Sequence, residues 1–342
     1  MTYLVGKIAL DITAGAPNNG RGEDNEAKVK YLTRGRGERV PYISAQAFRR
    51  WWRDSLPAAE KRSPVTRSGT GKKQQAHTAG RPDQFLDDDL FGYMVAIKKE
   101  SYQRDTVLAT GTLVALPSKR ITSDFGTMSR GFPADADPVI HAHEHYTAEM
   151  AGDVLLDLPR VGTFEQDGGG LRRALSPAAA EEAIKAGASE YELRGVGSLR
   201  LPVEERRRRT AVLLRTLTQV QGGASRALHY GDRAPSFVLL APLKGGNNPF
   251  TRVLASGPQG VFFDTGVFEE EMQVWADELD GPVYIGWAPG FLGDQREQVR
   301  QDLAEHLTAG CVVIDHPRTL LGGLAKEIEA GQRDSWLEDP NA

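Results

Sequence analysis

The sequence predicts an α+β domain, and three observations carry that prediction. Alternating, β-branched stretches open the chain and return near its middle, as half-buried strands require. Two other stretches, Ala45–Leu56 and Val203–Gln221, repeat apolar residues at helical spacing. The two kinds of segment interleave, in the order strand, helix, possible strand, strand, strand, helix, strand.

Residues 3–13, Y-L-V-G-K-I-A-L-D-I-T, read as the first strand. Lys7 and Asp11 inside its apolar part argue against a secretory leader. Ala14–Arg39 is polar and glycine-rich and reads as a long loop carrying Lys28, Lys30, Arg34, Arg36 and Arg39. Loops of that length are functional or disordered. Pro41 closes the loop by biasing Val40 away from helical angles. Ser44 then caps a helix, its hydroxyl placed to accept from an amide of the first turn. Ala45, Phe48, Trp52 and Leu56 form an apolar stripe, and Arg49, Arg50 and Arg53 lie beside it. One helix thus offers an aromatic face, a cationic flank and an N-terminus suited to an anion. Solvated surface arginines are the plainer reading of the same residues.

Leu56–Pro82 is basic and nearly free of large apolar residues, which predicts a mobile insertion. Apolar character returns at Gln84–Lys99 as a short helix or strand, so residues 57–104 form one insertion and its return. Asp105–Pro117 alternates and is β-branched, a strand that Glu144–Leu158 can partner. Between them, residues 118–143 are too long for a tight turn and read as a projecting hairpin. A glycine run and an alanine-rich helix near 177–187 follow. Glu204 and Glu205 suit the N-terminal dipole of the helix at Val203–Gln221, and Gly222–Gly223 ends it. Residues 236–243 form the last strand of a β-α-β-β-α-β skeleton. This is the ferredoxin-like plan shared with RNA-recognition domains. Residues 246–342 add one strand at 282–287 and two helices near 293–308 and 317–330, an extension packed on that skeleton.

Of the 342 residues, 40% are hydrophobic and 26% charged, enough for an ordinary core. No apolar run reaches the ~18 residues of a membrane span. Cys311 stands alone, which excludes a disulfide framework and a cysteine metal site and fits a cytoplasmic protein. The net charge of −4 is unevenly spread. Residues 1–130 hold 22 Lys and Arg against 14 Asp and Glu, and the remainder holds 20 against 32. A basic first part allows a local polyanion track, or head-to-tail attraction between copies.

Asp124-Phe125-Gly126 spells a kinase triplet, but no phosphate loop, catalytic loop or strand lysine accompanies it. His141, His143 and His145 alternate, so three imidazoles project from one side of an extended segment. A metal site wants ligands from a second element, so a polar strand edge or a contact surface is the favoured reading and no metal is assigned. Gly222-Gly223-Ala224-Ser225-Arg226 lacks the ending and context of a phosphate loop. Its glycines nevertheless allow close approach of a nucleic-acid backbone. Arg206–Arg209 span a full helical turn and cannot all face one ligand. No catalytic triad, cysteine–histidine pair or carboxylate pair stands out, and no cofactor is assigned.

Three runs together resemble the DevR-type CRISPR backbone proteins, the Cas-seven family of the RAMP superfamily, with subtype I-B the nearest likeness. They are V-P-Y-I-S-A-Q-A-F-R-R-W-W-R, V-G-K-I-A-L-D-I-T, and L-T-Q-V-Q-G-G-A-S-R-A-L-H-Y-G-D-R-A-P-S-F-V-L-L. E-H-Y-T-A-E-M and R-V-G-T-F are also similar. The resemblance implies a modified RNA-recognition fold with a thumb, several copies of which polymerise along one CRISPR RNA in a Cascade-type complex. It implies a palm made of residues 1–56, 105–117 and 144–245. Ser44, Gln46, Arg49, Arg50 and Arg53 would lie on that palm, with Gly222, Gly223, Ser225 and Arg226 as the glycine loop against RNA. Residues 118–143 would be the thumb, with Arg120 on it and Phe125, Met128 or Phe132 as the wedge beside a kinked base. Implied partners are CRISPR RNA, target DNA through the complex, further copies of the chain, and subunits of the Cas-five, Cas-eight, Cas-six and small-subunit types. The family's role is non-catalytic, in keeping with the missing catalytic constellation.

Two rivals remain. An RNA-cleaving enzyme on a related fold needs a general base such as His77, His141 or His229, or a metal-binding carboxylate. A structural regulator would bind only protein.

Overall fold

In the computed structural model of the chain, the first strand, Tyr3–Gly15, is the spine of a large mixed sheet. The structure describes all residues except 23–24, 70–73, 98–99, 118–119, 134, 167–172 and 340–342. Part of the basic insertion, the first two residues of the projecting hairpin and the glycine run at 168–170 therefore lie outside the described residues.

The first strand pairs antiparallel with Val139–Asp157 on one side and Phe237–Leu243 on the other. Leu108–Thr110 and Leu113–Ala115 pair antiparallel with the far side of Val139–Asp157. In space the four predicted strands stand in the order fourth, first, third, second. Val283–Trp287 and then Val312–Asp315 extend one edge, and Arg39–Ile43 and Tyr31–Thr33 extend the other.

Alternation along the first strand sends Leu4, Ile8, Leu10 and Ile12 to one face and Val5 and Ala9 to the other. The first face packs against Ala45–Asp54, Val203–Leu217 and Pro317–Glu329 through Phe48, Trp52, Leu213, Leu217 and Leu321. The second is covered by residues 250–303, with Phe250, Phe268 and Leu303 among its core. Burial of both faces explains why every residue of Phe237–Leu243 is buried and apolar.

Several sequence expectations are corrected. Arg39–Ile43 is a strand, and Pro41 lies within it rather than closing a loop. The strand expected at 105–117 is broken, because Thr110 faces Val154 while Val114 faces Ala151. One extra residue is accommodated there as a bulge, where the Gly111 amide donates to Asp153 O at 2.7 Å. Gln84–Lys99 holds both alternatives, helix Leu86–Phe91 followed by strand Tyr93–Ile97. The second long helix stops at Leu217 with Thr218 as its cap, so the glycines at 222 and 223 do not terminate it. The helix expected near 293–308 is divided at Leu303. Helix Thr265–Val274 and strand Val312–Asp315 were not expected; the first carries three consecutive glutamates that blur its period.

The arginine run is structural. Arg206 and Arg209 are buried, and Arg206 donates to the carbonyls of Val161 and Pro159. Arg209 and Arg104 share the fully buried carboxylate of Asp89, at 2.8 and 2.5 Å. Arg208 pairs with Glu205 and Glu60, and Arg207 with Asp334.

Candidate nucleic-acid interface

The aromatic helix Ala45–Asp54 begins where the sequence places it. The Ser44 hydroxyl accepts from Ala47 N at 3.3 Å. Phe48, Trp51 and Trp52 are all buried. Trp52 Nε1 donates to Leu213 O at 3.0 Å, which joins this helix to Val203–Leu217. Trp51 faces the other way, onto the glycine turn. A Cβ on Gly222 would lie 2.5 Å from Trp51 Cγ. Gly223, at φ +93°, passes over Pro17 O, from which a Cβ would be 3.2 Å.

Residues 17–19 hold helix and turn together. Asn18 Oδ1 accepts from Ser44 N at 2.9 Å, and Ala224 N donates to Pro17 O at 2.9 Å. Asn19 Nδ2 reaches Ser225 Oγ at 3.3 Å. The result is an open groove of about 690 Å³ lined by Ser44, Gln46, Arg50, Lys30, Gly222 and Gly223 among others. Five of the expected RNA-contacting residues, from two segments far apart in sequence, thus converge on one concavity. Arg49 and Arg53 share the helix but do not line the groove. Arg50 is exposed and sits 3.2 Å from Asp54, and Arg53 is 3.7 Å from the same carboxylate. Arg226 is exposed beside Ser225, which adopts φ +56°.

Sequence reading missed two residues here. Trp51 completes the i, i+3, i+4 pattern with Phe48 and Trp52, a signal that was available. Arg233 had no such signal. It is 2% exposed, its Nη1 donates to Asp232 O, and its Nε and Nη2 have no partner. A Cβ on Gly223 would be 3.4 Å from that Nε, so the guanidinium lies directly beneath the glycine turn. Burial pushes its pKa below the usual arginine value, and Arg226 pushes the same way. A buried guanidinium with unspent donors is a receptor for an anion.

The projecting hairpin pairs Thr122–Met128 with the start of Val139–Asp157, from Thr122↔His145 to Met128↔Val139. The long strand therefore starts five residues earlier than its sequence pattern showed. Phe125 is 70% exposed, Met128 55% and Phe132 37%. Val139 and Ile140 add exposed apolar surface, and Arg120 is exposed just before the hairpin. Such side chains on a two-stranded ribbon are suited to stacking on, or wedging between, bases. His141, His143 and His145 lie on this long strand, and His229 meets the last two. His77 belongs to a separate strand pair, Thr66–Ser68 with Gln75–His77.

No helix among the described residues is long and apolar enough to cross a membrane. No protein-family model matches the chain, and no curated protein does. Solved structures do. One chain, named "CRISPR RNA-guided surveillance complex", is 13% identical with a TM-score of 0.55, over 95% of this chain and 98% of that one. Another, named "CRISPR RNA-guided surveillance complex, pre-nicking", is 12% identical with a TM-score of 0.56, over 95% of this chain and 100% of that one. The chain therefore shares, over nearly its whole length, the α+β fold of these two structures.

Proposed function

We propose that the chain is a non-catalytic backbone subunit of a Cascade-type CRISPR surveillance complex, which oligomerises along CRISPR RNA and presents it to target DNA. The fourth, first, third, second strand order, with the helices Ala45–Asp54 and Val203–Leu217 together on one face, supports a ferredoxin-like palm of RAMP type. The fold shared with chains of surveillance complexes supports the assembly. The observation that carries the reading is the groove, where a helix N-terminus, Arg50 and a glycine turn meet, with Arg233 buried beneath that turn. A phosphate chain along it would find backbone amides and guanidinium donors. The hairpin would cover a displaced nucleotide with Phe125, Met128 or Phe132, leaving the bases between to pair with DNA. Sequence specificity would then rest on base pairing and protein contacts on backbone shape. Further copies and subunits of the Cas-five, Cas-eight, Cas-six and small-subunit types would complete the particle, in the cytoplasm.

The test is whether the purified chain carries RNA of discrete length and retains it in a salt-dependent way. Reversing Arg49, Arg50 and Arg53 together to Glu should abolish retention while leaving the fold intact. Unchanged retention would refute the palm assignment.

One observation favours a second reading. Three histidines gathered beside the hairpin supply the general base that an RNA-cleaving enzyme would need. Steady cleavage of guide or target RNA, lost in His229→Ala, would replace the first reading with this one.

A further inference from the structure

We propose that His143, His145 and His229 bind a divalent transition-metal ion of the zinc class, and that the ion ties the loop after the glycine turn to the base of the projecting hairpin. The sequence supplied two of these ligands by strand alternation; the third comes from a different element, which only folding brings close. His143 and His145 stand on one face of Val139–Asp157 with ring centroids 6.1 Å apart. His229 packs against both, at 5.2 and 5.1 Å. One ring nitrogen from each of the three lies within 4.8 Å of the others.

The hydrogen-bond inventory points the same way. His143 Nδ1, His145 Nδ1 and His229 Nε2 are buried atoms without a partner. A buried polar atom left unpaired destabilises the fold. One ion ligated by these three nitrogens would satisfy them together. With zinc–nitrogen bonds of about 2.0–2.1 Å, tetrahedral ligands stand roughly 3.3 Å apart. Small side-chain rotations close that gap. Asp124 Oδ2 lies 3.8 Å from Nε2 of His143, the nitrogen opposite its unpartnered one. A carboxylate on that side would orient the ligating ring if it closed to hydrogen-bond distance.

The donor set selects the ion. Three imidazoles without thiolate or carboxylate oxygen suit zinc, copper or nickel and not magnesium or calcium. Three protein ligands leave a fourth position for water. The consequence is mechanical. His229 N donates to Ser225 O at 2.8 Å, so fixing His229 fixes Ser225 and Arg226 against the hairpin strand.

The test uses tag-free full-length chain, stripped by a chelator and free of RNA, so its outcome is independent of the proposed RNA-binding role. Cobalt(II) titration should give one ion per chain with visible d–d absorption, and zinc should displace it. His229→Ala should weaken cobalt binding at least 100-fold, and His143→Ala should do the same. A stripped wild-type chain that develops no such absorption overturns the proposal, whatever the variants do. So does equal binding by wild type and His229→Ala, which would mark an adventitious ion.

Discussion

A Cβ added to Gly222 would stand 2.5 Å from Cγ of the Trp51 indole. Turn and helix are moulded on each other there, although they lie far apart in sequence. Gly222→Ala should therefore destabilise the chain by about 1–3 kcal/mol, the usual cost of overpacking. It should also reduce RNA retention by tilting the turn. Urea unfolding of Gly222→Ala, Trp51→Ala and the double variant checks this. The double variant should cost less than the sum, since removing the indole removes the clash.

Arg50 lines the groove and Arg49 does not. Arg50→Glu should weaken RNA binding about tenfold or more and lower the salt slope by about one phosphate contact. Arg49→Glu should do less. Filter binding at several salt concentrations reads both. Equal losses would move the RNA track off the groove.

Arg233→Gln keeps most of the side-chain volume and removes the buried charge. No carboxylate loses a hydrogen bond, because the arginine's own partner is the Asp232 carbonyl. Stability should change by less than about 1 kcal/mol while RNA affinity falls about tenfold, since charged hydrogen bonds to phosphate are the strong ones. Thermal unfolding beside filter binding separates the two effects.

Asp89 is the opposite case. Its carboxylate takes Arg104, Arg209 and the Gly162 amide, with no exposure on Asp89 or Arg104. Asp89→Ala strands two buried guanidiniums and should cost about 3–5 kcal/mol. Chemical denaturation measures it, and a cost under about 1 kcal/mol would mean that other groups carry these arginines.

The helix Pro317–Glu329 and the residues after it are held to Val203–Leu217 partly by charge. Arg215 holds Glu329 below the usual carboxylate pKa, and Arg207 does so for Asp334. A carboxylate lowered by folding stabilises above its unfolded pKa of about 4 and loses that contribution as pH falls through the folded value. Both pairs are solvent-exposed in part, so the effect is small. Amide exchange in residues 317–337 should rise below about pH 4 before exchange in the central sheet does.

Much of the local structure was legible in sequence. Ser44 marked a helix start, the strand at residues 3–13 was plain in its alternation, and Phe125 and Met128 stood in a segment too long for a tight turn. Other features were not. Pro41 looked like a loop closure because it biases Val40 away from helical angles, yet that bias suits the strand Arg39–Ile43 equally well. The glycines at 222 and 223 looked like a helix cap because that is the commoner use of glycine. The partners of the arginines at 206–209 were not legible, because Asp89, Glu338 and the carbonyls at 159–161 come from distant segments.

Periodicity and capping are contacts between near neighbours, so residue order alone was enough to establish the α+β class, a helix that starts after Ser44, and a projecting hairpin between two strands. Tertiary packing decided that Gln46, Arg50 and Gly223 share one groove, that Arg233 lies beneath the glycine turn with two of its donors unused, and that His229 meets His143 and His145. Those meetings depend on which strand crosses beside which, and the energy that selects the crossing is spread over the whole core rather than written in any one segment.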